Sequence, residues 1–151
     1  VTSFAISIDQ DHCWGCKACE VACKQENTPS YGVKFISVLE KGPSPGGAKL
    51  ETLFHVNLCR HCDSPDCVEA CPEDAIMKRE DGIVILDDSI CTGCMSCLDA
   101  CPYDAISFDE EKNVATKCNL CHHRVDAGLI PACADNVCLA HCIHFVVSEK
   151  K

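Results

Sequence analysis

The sequence predicts a small α+β fold of short hairpins and short helices wrapped around metal, assembled from two related halves. Three observations predict it: the spacing of the cysteines, an internal repeat, and a thin apolar core. The chain has 151 residues, of which 17 are cysteine and only 5% aromatic. So few large apolar side chains bury too little surface to hold such a chain together, and another source of cohesion is expected.

Residues 91 to 102 read CTGCMSCLDACP. Cys91, Cys94, Cys97 and Cys101, closed by Pro102, have the Cys-x2-Cys-x2-Cys-x3-Cys-Pro spacing that wraps an iron-sulfur cubane. Three thiolates from one tight loop hold three corners of a [4Fe-4S] cluster, and the fourth, carried on a short helix, reaches a neighbouring cluster. One such run implies two clusters. Gly93 stands where the backbone must turn sharply around the inorganic core. A disulfide scaffold fits badly, because the cysteine count is odd and the spacings are short. Zinc seldom takes four cysteines this close together, and a zinc-stabilised interaction module is kept as the reading of a different class.

From the start of the chain, FAISID at 4 to 9 alternates as a short strand and leads into Cys13, Cys16, Cys19 and Cys23. These repeat the central spacing, with Gly15 in the place of Gly93, and AISIDQDHC matches IVILDDSIC at 83 to 91. Lys24 replaces the expected proline, so the helix near 18 to 26 is expected to continue past its ligand. Trp14, inside the loop, is expected to pack and keep water off the cluster. Residues 33 to 39 and 51 to 57 read as strands around an exposed loop, KGPSPGGAK, with Lys41 and Lys49 at its edges.

The next group is Cys59, Cys62, Cys67 and Cys71 with Pro72, its middle gap widened so that residues 63 to 66 bulge outward. CPEDAI at 71 to 76 echoes CPYDAI at 101 to 106. Hairpins are expected around Asp81-Gly82 and around Glu110 to Asn113. The last group is Cys118, Cys121, Cys133, Cys138 and Cys142; NLC recurs in HVNLCRHC and KCNLCHHR, which relates it to the second group. Four cubanes take sixteen thiolates and leave one of the 17 cysteines spare.

Composition narrows the function. The formal net charge of -10 argues against nucleic acid and suits either simple solubility or docking to a basic patch on a protein partner. No stretch approaches the roughly 20 apolar residues of a membrane span, and no leader-like segment precedes the first motif, so a soluble, cytoplasmic chain is expected. Export with a signal-bearing partner stays open. No Walker loop or dinucleotide fingerprint is present, and no active site is expected. His12, His61, His122 and His141 adjoin ligand cysteines and are expected to hydrogen-bond sulfurs or lie at the surface more often than to bind iron.

Across residues 4 to about 145 the chain resembles the four-cluster, ferredoxin-like electron-transfer subunits of molybdenum and tungsten oxidoreductases such as dimethyl sulfoxide reductase, nitrate reductase and formate dehydrogenase. KCNLCHHRVDAGLIPAC at 117 to 133 is especially similar to that family's fourth motif. The resemblance implies two pseudo-repeated bacterial-ferredoxin modules in one unit spanning 1–151: an outer one from about 1–57 plus 114–151, and an inner one from about 58–113. It also implies the ligand sets. One cluster would take Cys13, Cys16, Cys19 and the last fourth-group ligand; its neighbour would take Cys118, Cys121, Cys133 and Cys23. The inner pair would take Cys59, Cys62, Cys67 with Cys101, and Cys91, Cys94, Cys97 with Cys71.

The family places its final cysteine where Val137 stands here. A one-residue insertion brings Cys138 into that role and leaves Cys142 free, the favoured reading. Alternatively Cys142 is the ligand, or Cys138 and Cys142 restore the spacing and Cys133 is spare. A degenerate fourth motif would leave three clusters. The expected function is to carry single electrons to or from a larger molybdenum- or tungsten-pterin subunit, with a free soluble polyferredoxin as the alternative. The shortness of the chain resembles the small iron-sulfur subunits of aldehyde ferredoxin oxidoreductase-type tungsten enzymes, including the benzoyl-CoA reductase of anaerobes.

Overall fold

The computed structural model describes residues 2–149; Val1, Lys150 and Lys151, the outermost residues of the expected unit, lie outside it. Among the described residues, eight strands form four antiparallel pairs, each a sheet of two. β1 (Thr2–Ile8) pairs with β8 (Ile143–Glu149) from Ile8 opposite Ile143 to Thr2 opposite Glu149, which brings the two ends of the chain together. β2 (Ile36–Gly46) and β3 (Lys49–Leu58) make a long hairpin, and β4 (Ile76–Lys78) with β5 (Val84–Leu86) a short one. β6 (Ile106–Asp109) and β7 (Val114–Lys117) close the last pair.

The small hairpins turn where the sequence signals turns. Gly82 takes φ +87°, its N–H donates to Arg79 O at 3.0 Å, and Arg79 N–H donates to Ile83 O at 2.8 Å. Asp109 fixes the other turn by accepting from Glu111 and Lys112 N–H, both at 3.1 Å. The expected loop at 41 to 49 departs from the reading: strand pairing runs on to Gly46 opposite Lys49, with a register shift between Lys41 and Ser44. A bulge there takes Pro43 out of the ladder, where its missing N–H costs nothing. Lys41 and Lys49 are exposed on this projecting arm.

Among the described residues four α-helices lie within the cysteine groups. α1 (Ala18–Asn27) runs past Cys23, as expected without a proline there, and carries Glu20 in its first turn and Lys24 in its last, each favourable to the helix dipole. α2 (Asp66–Glu69) and α3 (Ser96–Ala100) stop just short of Cys71-Pro72 and Cys101-Pro102. The residue before a proline is pushed out of helical geometry, and Cys101 is accordingly extended at φ -78°, ψ 112°. α4 (His122–Asp126) follows Cys121.

Two-stranded sheets this small are marginal alone, so packing must hold them. One core gathers Ile36, Val38, Val56, Leu58 and Ile143 with Cys19, Cys23, Cys118, Cys133, Cys138 and Cys142. A second gathers Ile76, Val84, Cys97, Ile106 and Ala115, with Cys67, Cys71, Cys91 and Cys101 against it. In both, sulfur stands where a protein of this size would place aliphatic carbon. Among the described residues no helix is long and apolar enough to cross a membrane.

Candidate metal centres

Each ligand loop begins with two cysteines separated by two residues, and the second of those residues always has left-handed backbone: Gly15 at φ +70°, His61 at +47°, Gly93 at +74° and Leu120 at +54°. His61 and Leu120 take this conformation although side chains disfavour it, and both are buried. The turn aims backbone N–H groups back at sulfur. His61 N–H lies 3.4 Å from Cys59 Sγ and Leu120 N–H 3.4 Å from Cys118 Sγ, while Ala115 N–H reaches Cys91 Sγ at 3.4 Å. Such donors favour the thiolate form that binds iron.

The loops bring the cysteines together in four sets. Cys91, Cys94, Cys97 and Cys71 line a hollow walled by Ile76, Leu86 and Ala115. Cys59, Cys62, Cys67 and Cys101 line one with Pro65, Val84 and Pro102. Cys13, Cys16 and Cys19 share a third with both Cys138 and Cys142. In the fourth set the Asn27 amide reaches both Cys23 Sγ and Cys121 Sγ at 3.6 Å. There burial, reinforced by Cys23 and Cys121, pushes the Cys133 thiol up to about 12. Cys118, wholly buried, is pushed up by that burial and by the charges of Cys59 and Cys133.

The sets neighbour one another. α2, which carries Cys67, packs against α3, which carries Cys97; Lys117, next to Cys118, reaches Cys59 Sγ at 3.6 Å; and α1, which carries Cys19 and Cys23, packs against the turn that holds Cys133. Cys94 at one end and Cys16 at the other are the exposed cysteines.

The fourth group shares a backbone pattern with the second and third. Cys71, Asp74 and Ile76 are matched by Cys101, Asp104 and Ile106, and again by Cys138, His141 and Ile143. The middle residue has φ +53°, +49° and +50° in turn, and a strand starts at each isoleucine. Cys138 thus occupies the place of Cys71 and Cys101, and Cys142 that of Ala75 and Ala105.

The donor set fits [4Fe-4S] better than zinc. All 17 cysteines are unpaired. Among the described residues no group of three or more His, Cys, Asp or Glu is gathered closely enough for a single metal ion. Sulfurs set apart around a hollow suit a cubane, whose ligands diverge to separate corners.

Several neighbours were not foreseen from the sequence, because each is a contact between distant residues: Asn27 on two sulfurs, Lys117 near Cys59 Sγ, and Arg124. Arg124 binds Glu26 at 3.0 Å and Asp135 at 2.8 Å, and its Nε donates to Ile130 O at 2.8 Å, tying α4 to α1. Trp14 departs from the expectation that it seals its cluster: it lines the hollow yet is 65% exposed. His12 is exposed and pairs with Asp9 at 2.8 Å, which raises its pKa. His122 lies 3.8 Å from Asp126, and His141 is exposed. His61 is buried, and its ring meets no sulfur: Nδ1 accepts from Val84 N–H at 2.9 Å. Burial, then Lys117 and Lys78, lower its pKa to about 3.

Comparison with known proteins agrees with this geometry. A 4Fe-4S dicluster domain matches residues 50–148 and a 4Fe-4S binding domain residues 10–32. The chain is 41% identical over 134 residues to a subunit of the tetrathionate reductase of Salmonella typhimurium, covering 88% of this chain and 54% of that protein. It is 38% identical over 145 residues to a component of the anaerobic dimethyl sulfoxide reductase of Escherichia coli, covering 89% and 69%. A putative iron-sulfur subunit of the dimethyl sulfoxide reductase of Halobacterium salinarum is 36% identical over 165 residues, covering 90% and 63%. The chain spans about half to two thirds of the length of these relatives. It belongs to the [4Fe-4S] family of iron-sulfur subunits that includes these components of dimethyl sulfoxide reductase and tetrathionate reductase.

Proposed function

We propose that this chain is the electron-transfer subunit of a larger molybdenum- or tungsten-pterin oxidoreductase, holding four [4Fe-4S] clusters in a line. The observation that carries the reading is that succession of neighbouring cysteine sets, with an exposed cysteine, Cys94 or Cys16, in the first and last and half-buried to buried cysteines between. Each cubane, when bound, takes and gives one electron with little change of shape. The chain itself holds the thiolates, turns N–H groups toward them and walls three of the hollows with aliphatic carbon.

The proposed ligand sets are Cys91, Cys94, Cys97 and Cys71; Cys59, Cys62, Cys67 and Cys101; Cys118, Cys121, Cys133 and Cys23; and Cys13, Cys16, Cys19 and Cys138, with Cys142 spare. The recurring Cys-x2-left-handed-x-Ile backbone supports two ferredoxin-like modules, outer from about 1–57 plus 114–151 and inner from about 58–113. Its relatives in dimethyl sulfoxide and tetrathionate reductases favour a molybdenum partner over a tungsten one.

The test is to isolate the tagged chain without oxygen from its own cells and identify what accompanies it. A pterin-bearing subunit, with molybdenum or tungsten by elemental analysis, is expected. A chain that is brown yet always alone would favour a free polyferredoxin.

A further inference from the structure

Lys117, the last residue of β7, is 4% exposed, and no carboxylate pairs with it among the ion pairs of the described residues. An ammonium has three protons to donate and no acceptor. All three are accounted for: one goes to Val84 O, one to Cys118 O at 2.9 Å, and one points at Cys59 Sγ, 3.6 Å away. The backbone of Val84 is held at its N–H as well, which donates to His61 Nδ1. Two distant elements thus fix where the ammonium sits.

A buried cation with no carboxylate carries a desolvation cost of several kcal/mol unless other negative charge offsets it. The negative charge at hand is on sulfur. Cys59 belongs to the proposed set with Cys62, Cys67 and Cys101, and Cys118, next to Lys117 in the chain, to the set with Cys121, Cys133 and Cys23. On the ligand assignment proposed above, one side chain touches a ligand of Cys59's cluster and is anchored beside a ligand of Cys118's; along the line these two are the inner clusters, and those of Cys91 and Cys13 the outer ones. We propose that Lys117 is the fixed counter-charge of the two inner clusters, raising the reduction potential of both and most strongly that of the cluster held by Cys59. When a cluster takes one electron from an external donor, its negative charge grows by one beside the Lys117 ammonium. The cation therefore favours the reduced state.

The experiment uses the holoprotein purified without oxygen. Iron per chain is read first, and then the four midpoint potentials by titration followed with electron paramagnetic resonance. Lys117→Gln loses the charge but keeps amide donors. It is expected to retain the wild-type iron and to have its inner clusters about tenfold less reduced at a fixed poise, a fall of about 59 mV for a one-electron couple. The outer clusters are expected to stay put, and Lys117→Arg, which restores the charge, to return the inner potentials toward wild type. Unmoved inner potentials in an iron-replete Lys117→Gln protein would overturn the proposal, and so would an equal fall at all four clusters. Should Lys117→Gln lose its iron, wild-type protein grown with 15N-lysine decides. A nitrogen coupling on a reduced inner cluster, lost in Lys117→Arg, supports the contact, and its absence in wild type overturns it. Wild-type protein without iron would overturn this inference and the ligand assignment together.

Discussion

Cys142 Sγ lies 3.5 Å from Cys138 Sγ, and Cys142 N–H reaches the same sulfur at 3.4 Å. Both point into the hollow of Cys13, Cys16 and Cys19. Two sulfurs in contact cannot hold separate corners of a cubane, so one is ligand and the other is not. The hydrogen bonds from Cys142 lower the Cys138 thiol despite its burial, while burial and Cys138 push Cys142 up to about 12. The backbone repeat with Cys71 and Cys101 is why Cys138 is the ligand proposed above.

Cys142→Ala is therefore expected to keep the full iron content, since it restores the residue found at Ala75 and Ala105. Cys138→Ala is expected to lose iron from that cluster. Iron analysis of the two variants checks it, and the reverse pattern would make Cys142 the ligand.

Two glycines with the same backbone turn differ in what surrounds them. A Cβ on Gly93 would lie 2.5 Å from the backbone oxygen of Asn113, whereas on Gly15 it would run into the Phe54 ring. A ring can swing aside more easily than a hairpin backbone. Each alanine costs roughly 1 to 2 kcal/mol for its left-handed φ, and Gly93→Ala adds the backbone clash. Gly93→Ala is expected to bleach in denaturant well before Gly15→Ala; equal midpoints would deny the difference.

Glu20 is buried beside Cys19 and holds two partners: Lys34 Nζ at 2.7 Å and Val38 N–H at 2.7 Å. Burial opposes its charge, but these bonds outweigh it and lower its pKa. Glu20→Ala orphans a buried N–H, a loss of about 1 to 3 kcal/mol. Glu20→Gln keeps an acceptor for it and is expected to lose less. Comparing the denaturant midpoints of the two variants checks the order.

The first core contains six cysteines among its eleven buried residues. Without iron those thiols have neither cluster nor aliphatic neighbours enough to replace it. Stripping iron with a chelator under oxidant is expected to abolish the near-ultraviolet circular dichroism and the cooperative melt. An apoprotein that still melts cooperatively would show that side-chain packing suffices.

The parts legible in the sequence were those set by neighbours in the chain. Asp81-Gly82 marked the β4–β5 turn, and Lys24 in place of proline marked the continuation of α1. The departures come from contacts far apart in sequence. β8 was not foreseen because its partner, β1, lies at the opposite end of the chain. KGPSPGGAK reads as loop by composition, yet the bulge lets it stay paired. Lys117 looks like one more surface lysine beside a ligand until Val84 and Cys59 come within its reach. Cys138 and Cys142 could not be told apart by spacing, since only the backbone repeat with Cys71 and Cys101 distinguishes them.

The central claim is four cubanes on sixteen of the 17 cysteines. Elemental analysis of the chain isolated without oxygen, with iron in any partner subtracted, tests it most directly. The account predicts about sixteen irons per chain and no zinc. Twelve irons would mean an empty outer site, and zinc without iron would contradict the electron-transfer reading altogether.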